Sequence, residues 1–167
     1  MLRYEFPVDV AIKALKFQRK LYYLPAFAEV LAAAVPALPG DIDAVLAVPL
    51  HWRRKTLRGF NQAVELAKPV AGSLGVPVVR SVRRRRATRF QSGLDVAARR
   101  RNLRRAFVAP AKVRYRHVLI VDDIVTTGAT ARALACVLLA AGAAKVSVLS
   151  LARAGTPPNG NRGLLTL

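Results

Sequence analysis

The sequence predicts an α/β fold, a Rossmann-like parallel sheet flanked by helices. Short, continuous apolar runs occur along the chain, as expected for strands that are buried on both faces of a parallel sheet. Segments with helical periodicity alternate with these runs, which is typical of βαβ units. The chain has 167 residues, enough for one hydrophobic core but not for two.

Each predicted element is bounded by turn residues or by a change of periodicity. Strands are predicted at Ala44–Val48, Val76–Val82, Val118–Val121 and Lys145–Leu151. Helices are predicted at Pro7–Lys16, Ala26–Val35, Phe60–Lys68, Asp95–Arg104 and Gly128–Ala141. Pro69 is expected to end or kink the helix before it, and Gly142 to stop the last helix.

The predicted elements divide the chain into three parts. Residues 1–40 form an N-terminal helical part, residues 41–153 the core, and residues 154–167 a loose tail. In the first helix Val8, Ile12 and Leu15 share one face. The lysines of this region are expected to point mostly away from that face: Lys13, Lys16 and Lys20.

The charge is strongly basic, with 28 Lys and Arg residues against nine Asp and Glu. The segment Arg80–Arg105 holds eleven arginines and a single carboxylate, Asp95. Such a density attracts polyanions, whether pyrophosphate, nucleotides or nucleic acid. A solvated arginine face that reflects coding bias is the alternative.

Cys136 is the only cysteine, so an internal disulfide and a Cys-rich zinc site are excluded. Its neighbours are Ala, Val and Leu, which predicts a buried, inert thiol. No apolar run reaches membrane-spanning length, and the first residues do not resemble a secretion signal. We therefore expect a cytoplasmic protein that does not insert into membranes.

The segment Val118–Thr130, VLIVDDIVTTGAT, carries the strongest functional signal. A buried strand is followed by two acids, a turn rich in Thr and Gly, and a helix. The helix N-terminus offers backbone N–H groups and a positive dipole end to a phosphate, and Gly128 lets the backbone approach closely. Asp122 and Asp123 could accept hydrogen bonds from vicinal hydroxyls. This combination predicts a site for a sugar 5-phosphate.

Three other classes of site share an apolar strand followed by two acids. A P-loop ATPase would need a G-x-x-x-x-G-K-[ST] motif, which this sequence lacks. A phosphoacceptor receiver domain would need a further Asp downstream, and no Asp or Glu follows Asp123. A helix-capping role for the acids does not account for the TTG-x-T continuation.

The same thirteen residues resemble the phosphoribosyl pyrophosphate (PRPP) motif of type I phosphoribosyltransferases. The segments VPLH (Val48–His51) and RGFNQA (Arg58–Ala63) narrow the resemblance to the ComF family of competence-associated proteins. A spaced pattern agrees with that family: Arg84, Arg86, Thr88, Gln91, Leu94, Arg99, Asn102 and Phe107. The resemblance covers about residues 4–153 and implies the type I phosphoribosyltransferase fold for that part of the chain.

The resemblance also implies roles for individual residues. Asp122 and Asp123 would be the catalytic acids that hold the ribose hydroxyls. The 5-phosphate would lie against Thr126, Thr127, Gly128, Ala129 and Thr130. The pyrophosphate loop would comprise Leu50, His51, Trp52, Arg53 and Arg54, with Arg58 nearby. A mobile loop would close over the site with Arg86, Thr88, Gln91, Arg99 and Asn102. Mg²⁺ would bridge ligand oxygens without a direct protein cage.

The sequence departs from the family pattern at its N-terminus. ComF proteins usually begin with a zinc ribbon of paired Cys-x-x-Cys motifs. This sequence has no such motif and begins where the ribbon would end. We therefore expect a truncated or mis-started form, to which roles of the ribbon are not carried over.

Two functions stay open. The first is an enzyme that transfers the phosphoribosyl group from PRPP to an acceptor that the sequence does not identify. The second is a PRPP-binding module for DNA uptake, with a basic face for single-stranded DNA or for the uptake and helicase machinery. Few aromatics accompany the arginine cluster, so a base-stacking platform there has little support. The sequence carries no signal for an oligomeric state.

Overall fold

The fold was described from a computed structural model of the chain. It covers residues 1–50, 56, 59–80, 82–85, 106–110 and 112–155, and the backbone of residues 164–166. Within these ranges the α/β architecture is as predicted, with helices packed against one central sheet. None of the helices in the described ranges combines the length and the apolar character needed to span a bilayer.

The central sheet contains five parallel strands and one antiparallel edge strand. Its strands are β1 Leu2–Arg3, β2 Ala44–Ala47, β3 Val78–Val79, β6 His117–Val125, β7 Lys145–Arg153 and β8 Leu164–Thr166. The parallel strands lie in the order β1, β7, β6, β2, β3, and β8 pairs antiparallel with β7. A separate antiparallel pair is formed by β4 Arg83–Arg84 and β5 Phe107–Val108.

Four α-helices accompany the sheet in the described ranges. They are α1 Val8–Gln18, α2 Leu24–Ala32, α3 Gln62–Leu74 and α4 Ala129–Ala140. Short 3-10 turns follow the first two helices, at Leu21–Tyr23 and Val35–Ala37. α3 and α4 end as expected for helices that meet a glycine: Gly75 takes the left-handed conformation after α3 (φ 67°), and Gly142 follows the end of α4 (φ 105°).

The core lies between the sheet and the helices and is almost entirely aliphatic. β6 and β7 are buried along most of their length, as expected for the central strands of a parallel sheet. Residues with less than 2% of their surface exposed come from both layers: Leu15, Leu31, Leu46, Leu66, Leu119, Ile120, Leu134, Leu138, Leu149 and Leu151.

The predicted strands at Ala44–Val48, Val118–Val121 and Lys145–Leu151 are confirmed, and the last two are longer than expected. β6 continues through both acids to Val125, because β7 pairs with it as far as Arg153. The predicted strand Val76–Val82 was wrong in extent: only Val78 and Val79 pair with β2. The predicted helix Asp95–Arg104 lies outside the described residues.

The expected end of the helix at Lys68, before Pro69, was wrong. α3 runs through Pro69 to Leu74 and buries Leu66, Ala67, Val70 and Ala71. An interior proline costs a helix about 3 kcal/mol. The burial of this apolar stripe on both sides of Pro69 offsets that cost and holds the helix together.

Two further expectations were wrong. Lys16 was expected to point away from the apolar face of its helix into solvent, yet only 15% of its side chain is exposed. Cys136 was expected to be buried, yet it lies on the exposed face of α4. Within the C-terminal tail, residues 164–166 pair with the part of β7 around Val148. The stretch GLLTL at the end of the chain is apolar enough to have suggested a strand.

Candidate functional site

The candidate site lies at the C-terminal ends of two adjacent parallel strands, β2 and β6. Ala47 is opposite Val121, and the backbone N–H of Val48 donates to the Val121 carbonyl at 3.0 Å. The chain that leaves β2 therefore begins beside Asp122. Ligands of parallel α/β folds bind in this position, where neighbouring strands end and their connections diverge.

The turn between β6 and α4 has the shape required of a phosphate cradle. Thr126 and Thr127 are exposed, and Gly128 is buried with φ 71°, a left-handed conformation that favours glycine. The Thr127 hydroxyl accepts a hydrogen bond from the Ala129 N–H at 3.3 Å. α4 begins immediately afterwards, so its first N–H groups and its positive dipole end lie at this turn.

The side chain of Arg132, in the first turn of α4, folds back towards the loop between β6 and α4 and places a positive charge there. Its guanidinium donates to the Thr127 carbonyl. A methyl group on Gly128 would meet Arg132 Nη1 at 3.2 Å. Sequence analysis did not select Arg132, because its helical position is exposed and its contacts depend on how the side chain folds back.

The two acids of β6 differ in their surroundings. Asp123 is 4% exposed; its Oδ2 accepts a hydrogen bond from Gln62 Nε2 at 3.3 Å and forms an ion pair with Lys16. Asp122 keeps part of its surface accessible, and its Oδ1 accepts the N–H of Asp123 at 2.8 Å. The structure thus brings both predicted acids to the site, with Asp122 the more accessible of the two.

The electrostatics of the pair also distinguish Asp122. Burial among protein atoms raises the pKa of Asp122 well above its usual range, and the neighbouring charge of Asp123 raises it further. The positive charge of Lys16 opposes this effect. A carboxyl group whose pKa is raised by burial and by a like charge is a common feature of functional sites.

Side chains of the RGFNQA segment form hydrogen bonds at the C-terminal ends of both strands of the site. Asn61 caps α3: its Oδ1 accepts the Ala63 N–H at 3.1 Å, and its Nδ2 donates to the Val48 carbonyl at 3.1 Å. The next residue, Gln62, is 3% exposed and contacts Asp123. Neither residue was chosen as a site residue from the sequence, although both belong to the motif that suggested the family.

The predicted pyrophosphate loop is only partly described. Leu50 is half-buried just beyond β2, whereas His51, Trp52, Arg53, Arg54 and Arg58 lie outside the described residues. Gly59, at the end of this connection, has φ 75°. The Arg19 guanidinium covers it, 3.0 Å from the position of an added methyl group. A residue at the C-terminal end of α1 thus reaches the same region as the loop.

The predicted mobile-loop residues Arg86, Thr88, Gln91, Arg99 and Asn102 also lie outside the described residues. The two ends of that segment are described and are adjacent. Arg85 N–H donates to the Ala106 carbonyl at 2.8 Å, next to the β4–β5 pair, and the Arg84 guanidinium lies 5.4 Å from the centre of the Phe107 ring. The two residues that flank this segment, Arg85 and Ala106, therefore lie side by side.

No group of three His, Cys, Asp or Glu side chains in the described part of the chain is arranged to hold a metal ion. The acid and hydroxyl side chains at the site supply oxygen atoms, which suit the water molecules that Mg²⁺ retains. The oxygen atoms of the site are therefore compatible with a magnesium ion.

Comparison with known proteins agrees with this geometry. The family model described as phosphoribosyl transferase domain matches residues 58–159. The chain is 39% identical over 157 residues to DNA utilization protein YhgH of Salmonella typhi, a match that covers 90% of this chain and 69% of that protein. It is 34% identical over 160 residues to competence protein F of Haemophilus influenzae, which covers 89% and 69% of the two chains.

Two solved structures share the fold. One is described as the allosteric regulatory enzyme of purine biosynthesis, with 22% identity and a TM-score of 0.52 over 75% of this chain. The other is glutamine PRPP amidotransferase from B. subtilis, with 22% identity and a TM-score of 0.50 over 81% of this chain. This chain spans only about a quarter of each of them, 25% and 27%. At this identity the likeness establishes the fold alone, the type I phosphoribosyltransferase fold.

Proposed function

This chain belongs to the phosphoribosyl transferase family, within the ComF group that includes competence protein F, and we propose that it binds PRPP with magnesium and transfers the phosphoribosyl group to an acceptor. One observation carries the proposal. Strand β6 carries a partly accessible acid, Asp122, near its C-terminal end and leads through a left-handed Gly128 into a helix N-terminus. In this proposal the acid binds the ribose, and the turn with the helix N-terminus binds the phosphate.

The 5-phosphate is proposed to occupy the β6–α4 turn. The N–H groups that begin α4 donate to its oxygens, and the hydroxyls of Thr126, Thr127 and Thr130 add further donors. Gly128 leaves room for the phosphate because it carries no side chain. The Arg132 guanidinium beside this turn supplies positive charge to the dianion.

The ribose hydroxyls are proposed to bind at the acidic pair. An ionised carboxylate accepts hydrogen bonds from two vicinal hydroxyls, and such charge-assisted bonds are stronger than neutral ones. Asp122 and Asp123 lie in β6, the strand that leads to the phosphate turn, so the sugar ring and its 5-phosphate are held by consecutive parts of one segment. Their negative charge also stabilises a ribose that becomes cationic at C1.

The pyrophosphate is proposed to bind along the chain that leaves β2, with Leu50, His51, Trp52, Arg53, Arg54 and Arg58. This chain begins one strand away from Asp122, because Val48 is bonded to Val121. The mobile-loop residues Arg86, Thr88, Gln91, Arg99 and Asn102 are proposed to contact the pyrophosphate from the other side. Guanidinium groups suit this task because they bind phosphate oxygens in pairs.

In the proposed reaction the bond between ribose C1 and the pyrophosphate oxygen breaks, and the electron pair leaves with pyrophosphate. A nucleophilic atom of the acceptor forms the new bond to C1 and loses its proton to solvent or to a base on the acceptor. Magnesium, when bound with the ligand, neutralises charge on the leaving pyrophosphate. The protein holds the ribose, orients C1 and places cations near the leaving group.

Thermal unfolding tests the binding step. PRPP with Mg²⁺ is expected to raise the melting temperature in a concentration-dependent manner, since a ligand that binds only the native state stabilises it by mass action. Ribose 5-phosphate is expected to do so more weakly, and pyrophosphate release with candidate acceptors then tests catalysis. A melting temperature that does not change at millimolar PRPP would contradict the proposal.

A second function is favoured by the names of the relatives and by the charge. The relatives are named for DNA utilization and competence, and this chain has a net charge of +19. We propose as the alternative that the protein is a non-catalytic PRPP-binding module that serves DNA uptake, with single-stranded DNA or the uptake machinery as its partner. The electrostatic part of DNA binding would make its affinity steeply dependent on salt.

Limited trypsin digestion separates the two roles at the arginine-rich segment Arg83–Arg105, whose sequence offers many cleavage sites. If the segment contacts pyrophosphate, PRPP with Mg²⁺ slows its cleavage. If it serves DNA, an oligonucleotide slows cleavage without PRPP, and 200 mM salt weakens that protection relative to 50 mM salt. Equal cleavage rates with PRPP, with oligonucleotide and with neither would contradict both roles for this segment.

A further inference from the structure

Lys16 is turned into the protein, unlike the other lysines of its region. Lys13 and Lys20 are exposed, whereas only 15% of the Lys16 side chain is accessible. Its ammonium group forms an ion pair with Asp123, whose side chain is 6% exposed. Burial of a charged group is unfavourable unless it is paired, so this contact fixes where the Lys16 side chain lies.

Asp123 is held from three directions. Lys16 approaches its Oδ2 from α1, and Gln62 Nε2 donates to the same oxygen from the first residue of α3. Its Oδ1 accepts the N–H of Ile124 at 2.9 Å within β6. A carboxylate has about four acceptor positions, so these contacts use most of them. The orientation of Asp123 is therefore set by two helices as well as by its own strand.

Asp122 depends on how this neighbour is held. Its carboxyl group accepts the Asp123 N–H, and the Asp123 charge lies beside it. Lys16 pairs with Asp123, and its positive charge lowers the pKa of Asp122. Burial, the Asp123 charge and the opposing Lys16 charge together determine at which pH Asp122 becomes ionised.

We propose that Lys16 is a positioning residue of the ligand site, which, together with Gln62, holds the Asp123 side chain in place so that Asp122 can accept the ribose hydroxyls. The role rests on the proposed function, and it makes the N-terminal helix α1 a part of the site. Arg19, at the end of the same helix, covers Gly59 and so gives α1 a second contact at this edge of the protein.

The test compares Lys16→Met with Lys16→Arg and with a control, Lys13→Met. Lys13 lies on the same helix and also has an acidic partner, Asp9 at 2.7 Å, but that pair is exposed. The first measurement needs no ligand: the titration of the Asp122 carboxyl carbon is followed by NMR. Lys16→Met is expected to move this titration to higher pH because a nearby positive charge is lost, whereas Lys13→Met leaves it unchanged.

The second measurement is the Kd of PRPP with Mg²⁺ as a function of pH. Lys16→Met is expected to weaken binding about ten-fold at neutral pH, with a smaller difference at higher pH where Asp122 is ionised in both proteins. Lys16→Arg keeps the charge and is expected to restore most of the affinity. A destabilised fold alone would not change the pH at which binding develops.

A second variant keeps the proposal testable if Lys16→Met does not fold because the buried Asp123 side chain has lost its partner. The double variant Lys16→Met/Asp123→Asn lacks both charges. Its Asp122 carboxyl group is expected to titrate with a midpoint at lower pH than in the native protein. The reason is that the Asp123 charge acts on Asp122 more strongly than Lys16 does.

The outcomes distinguish this inference from the proposed function. If native protein gives no PRPP binding, the proposed function fails, while the Asp122 titration still tests Lys16. If native protein binds PRPP and Lys16→Met binds equally well at every pH, the positioning role is overturned. An Asp122 titration that is unchanged in both Lys16→Met and the double variant overturns it as well.

Discussion

The two ends of strand β6 carry charged and polar side chains in opposite electrostatic situations. At its N-terminal end, His117 Nε2 lies 2.9 Å from the Ser147 hydroxyl, and His117 Nδ1 lies 2.9 Å from Asp41 Oδ1. Asp43 accepts the N–H groups of Arg116 and His117 at 2.8 and 3.1 Å. At the C-terminal end, Asp122 and Asp123 lie side by side.

The pKa values of Asp41 and Asp122, one at each end of β6, shift in opposite directions. Burial alone would raise the pKa of Asp41, but contacts with His117 and Lys145 outweigh it and lower that pKa. The pKa of Asp122 is instead raised, first by burial and then by the charge of Asp123. One end is a network whose partners are already in place, and the other retains an acid whose ionisation is unfavourable in the protein alone. A ligand has most to contribute at the second end.

The largest effect is expected at Gly128. Gly128→Val is expected to weaken PRPP binding at least about 100-fold, because a side chain at φ 71° would enter the phosphate cradle and strain the backbone. The matched control is Gly75→Val, which imposes similar strain at φ 67° in open space far from the site. Calorimetric titration of both folded variants compares the two. Equal affinities would place the phosphate elsewhere.

The next effect compares the acids at the two ends. Asp122→Asn is expected to weaken PRPP binding about ten-fold, since the ribose hydroxyls lose a charged acceptor. Asp41→Asn is expected to leave binding unchanged. Loss of affinity in Asp41→Asn alone would reverse the assignment of the functional end.

Stability against pH sharpens the same comparison. A raised folded-state pKa means that the contribution of Asp122 to stability is complete below its unfolded-state value and is lost as pH rises through the folded-state value. Asp122→Asn is therefore expected to raise the melting temperature at neutral pH, by about 2–4 °C. Asp41 has a lowered pKa, so its contribution is present above the unfolded-state value and is lost as pH falls. Asp41→Asn is expected to lower the melting temperature at neutral pH, and thermal scans from pH 3 to 8 check both signs.

The smallest effect is expected on the first turn of α4. Arg132→Met is expected to weaken PRPP binding only a few-fold, because one exposed cation is removed while the helix N-terminus stays in place. Cys136→Ser, one turn further along the exposed face of the same helix, is the control and is expected to change nothing. If both variants bind PRPP as the native protein does, Arg132 makes no contribution to the cradle.

The parts of the fold that the sequence predicted are those with local signals. β6 and α4 were predictable because an apolar run, a Thr-Gly turn and a closing Gly142 follow one another within about 25 residues. The helix was expected to end at Lys68 because the cost of Pro69 is local, whereas the burial that offsets this cost comes from packing of the helix. β1 and the β4–β5 pair are two-residue strands whose partners are distant along the chain, so no local pattern marks them.

The candidate site likewise contains residues that a local motif predicted and residues that no local motif could predict. Asp122, Asp123 and the Thr-Gly turn form one continuous motif and were found together. Lys16 was missed because its helical position lies between the apolar and the exposed faces, and its partner is 107 residues away in the sequence. Gln62 was missed because a buried amide in a helix has no sequence signal of its own, although its RGFNQA motif contains it.

Calorimetric titration of PRPP with Mg²⁺ into native protein and into Asp122→Asn, at one pH and one ionic strength, tests the central claim most directly. The account predicts a saturable heat for the native protein, one ligand per chain, and a Kd raised about ten-fold in the variant. Absence of a binding heat in the folded native protein, or identical affinities of the two proteins, would contradict the assignment of a PRPP site to the C-terminal end of β6.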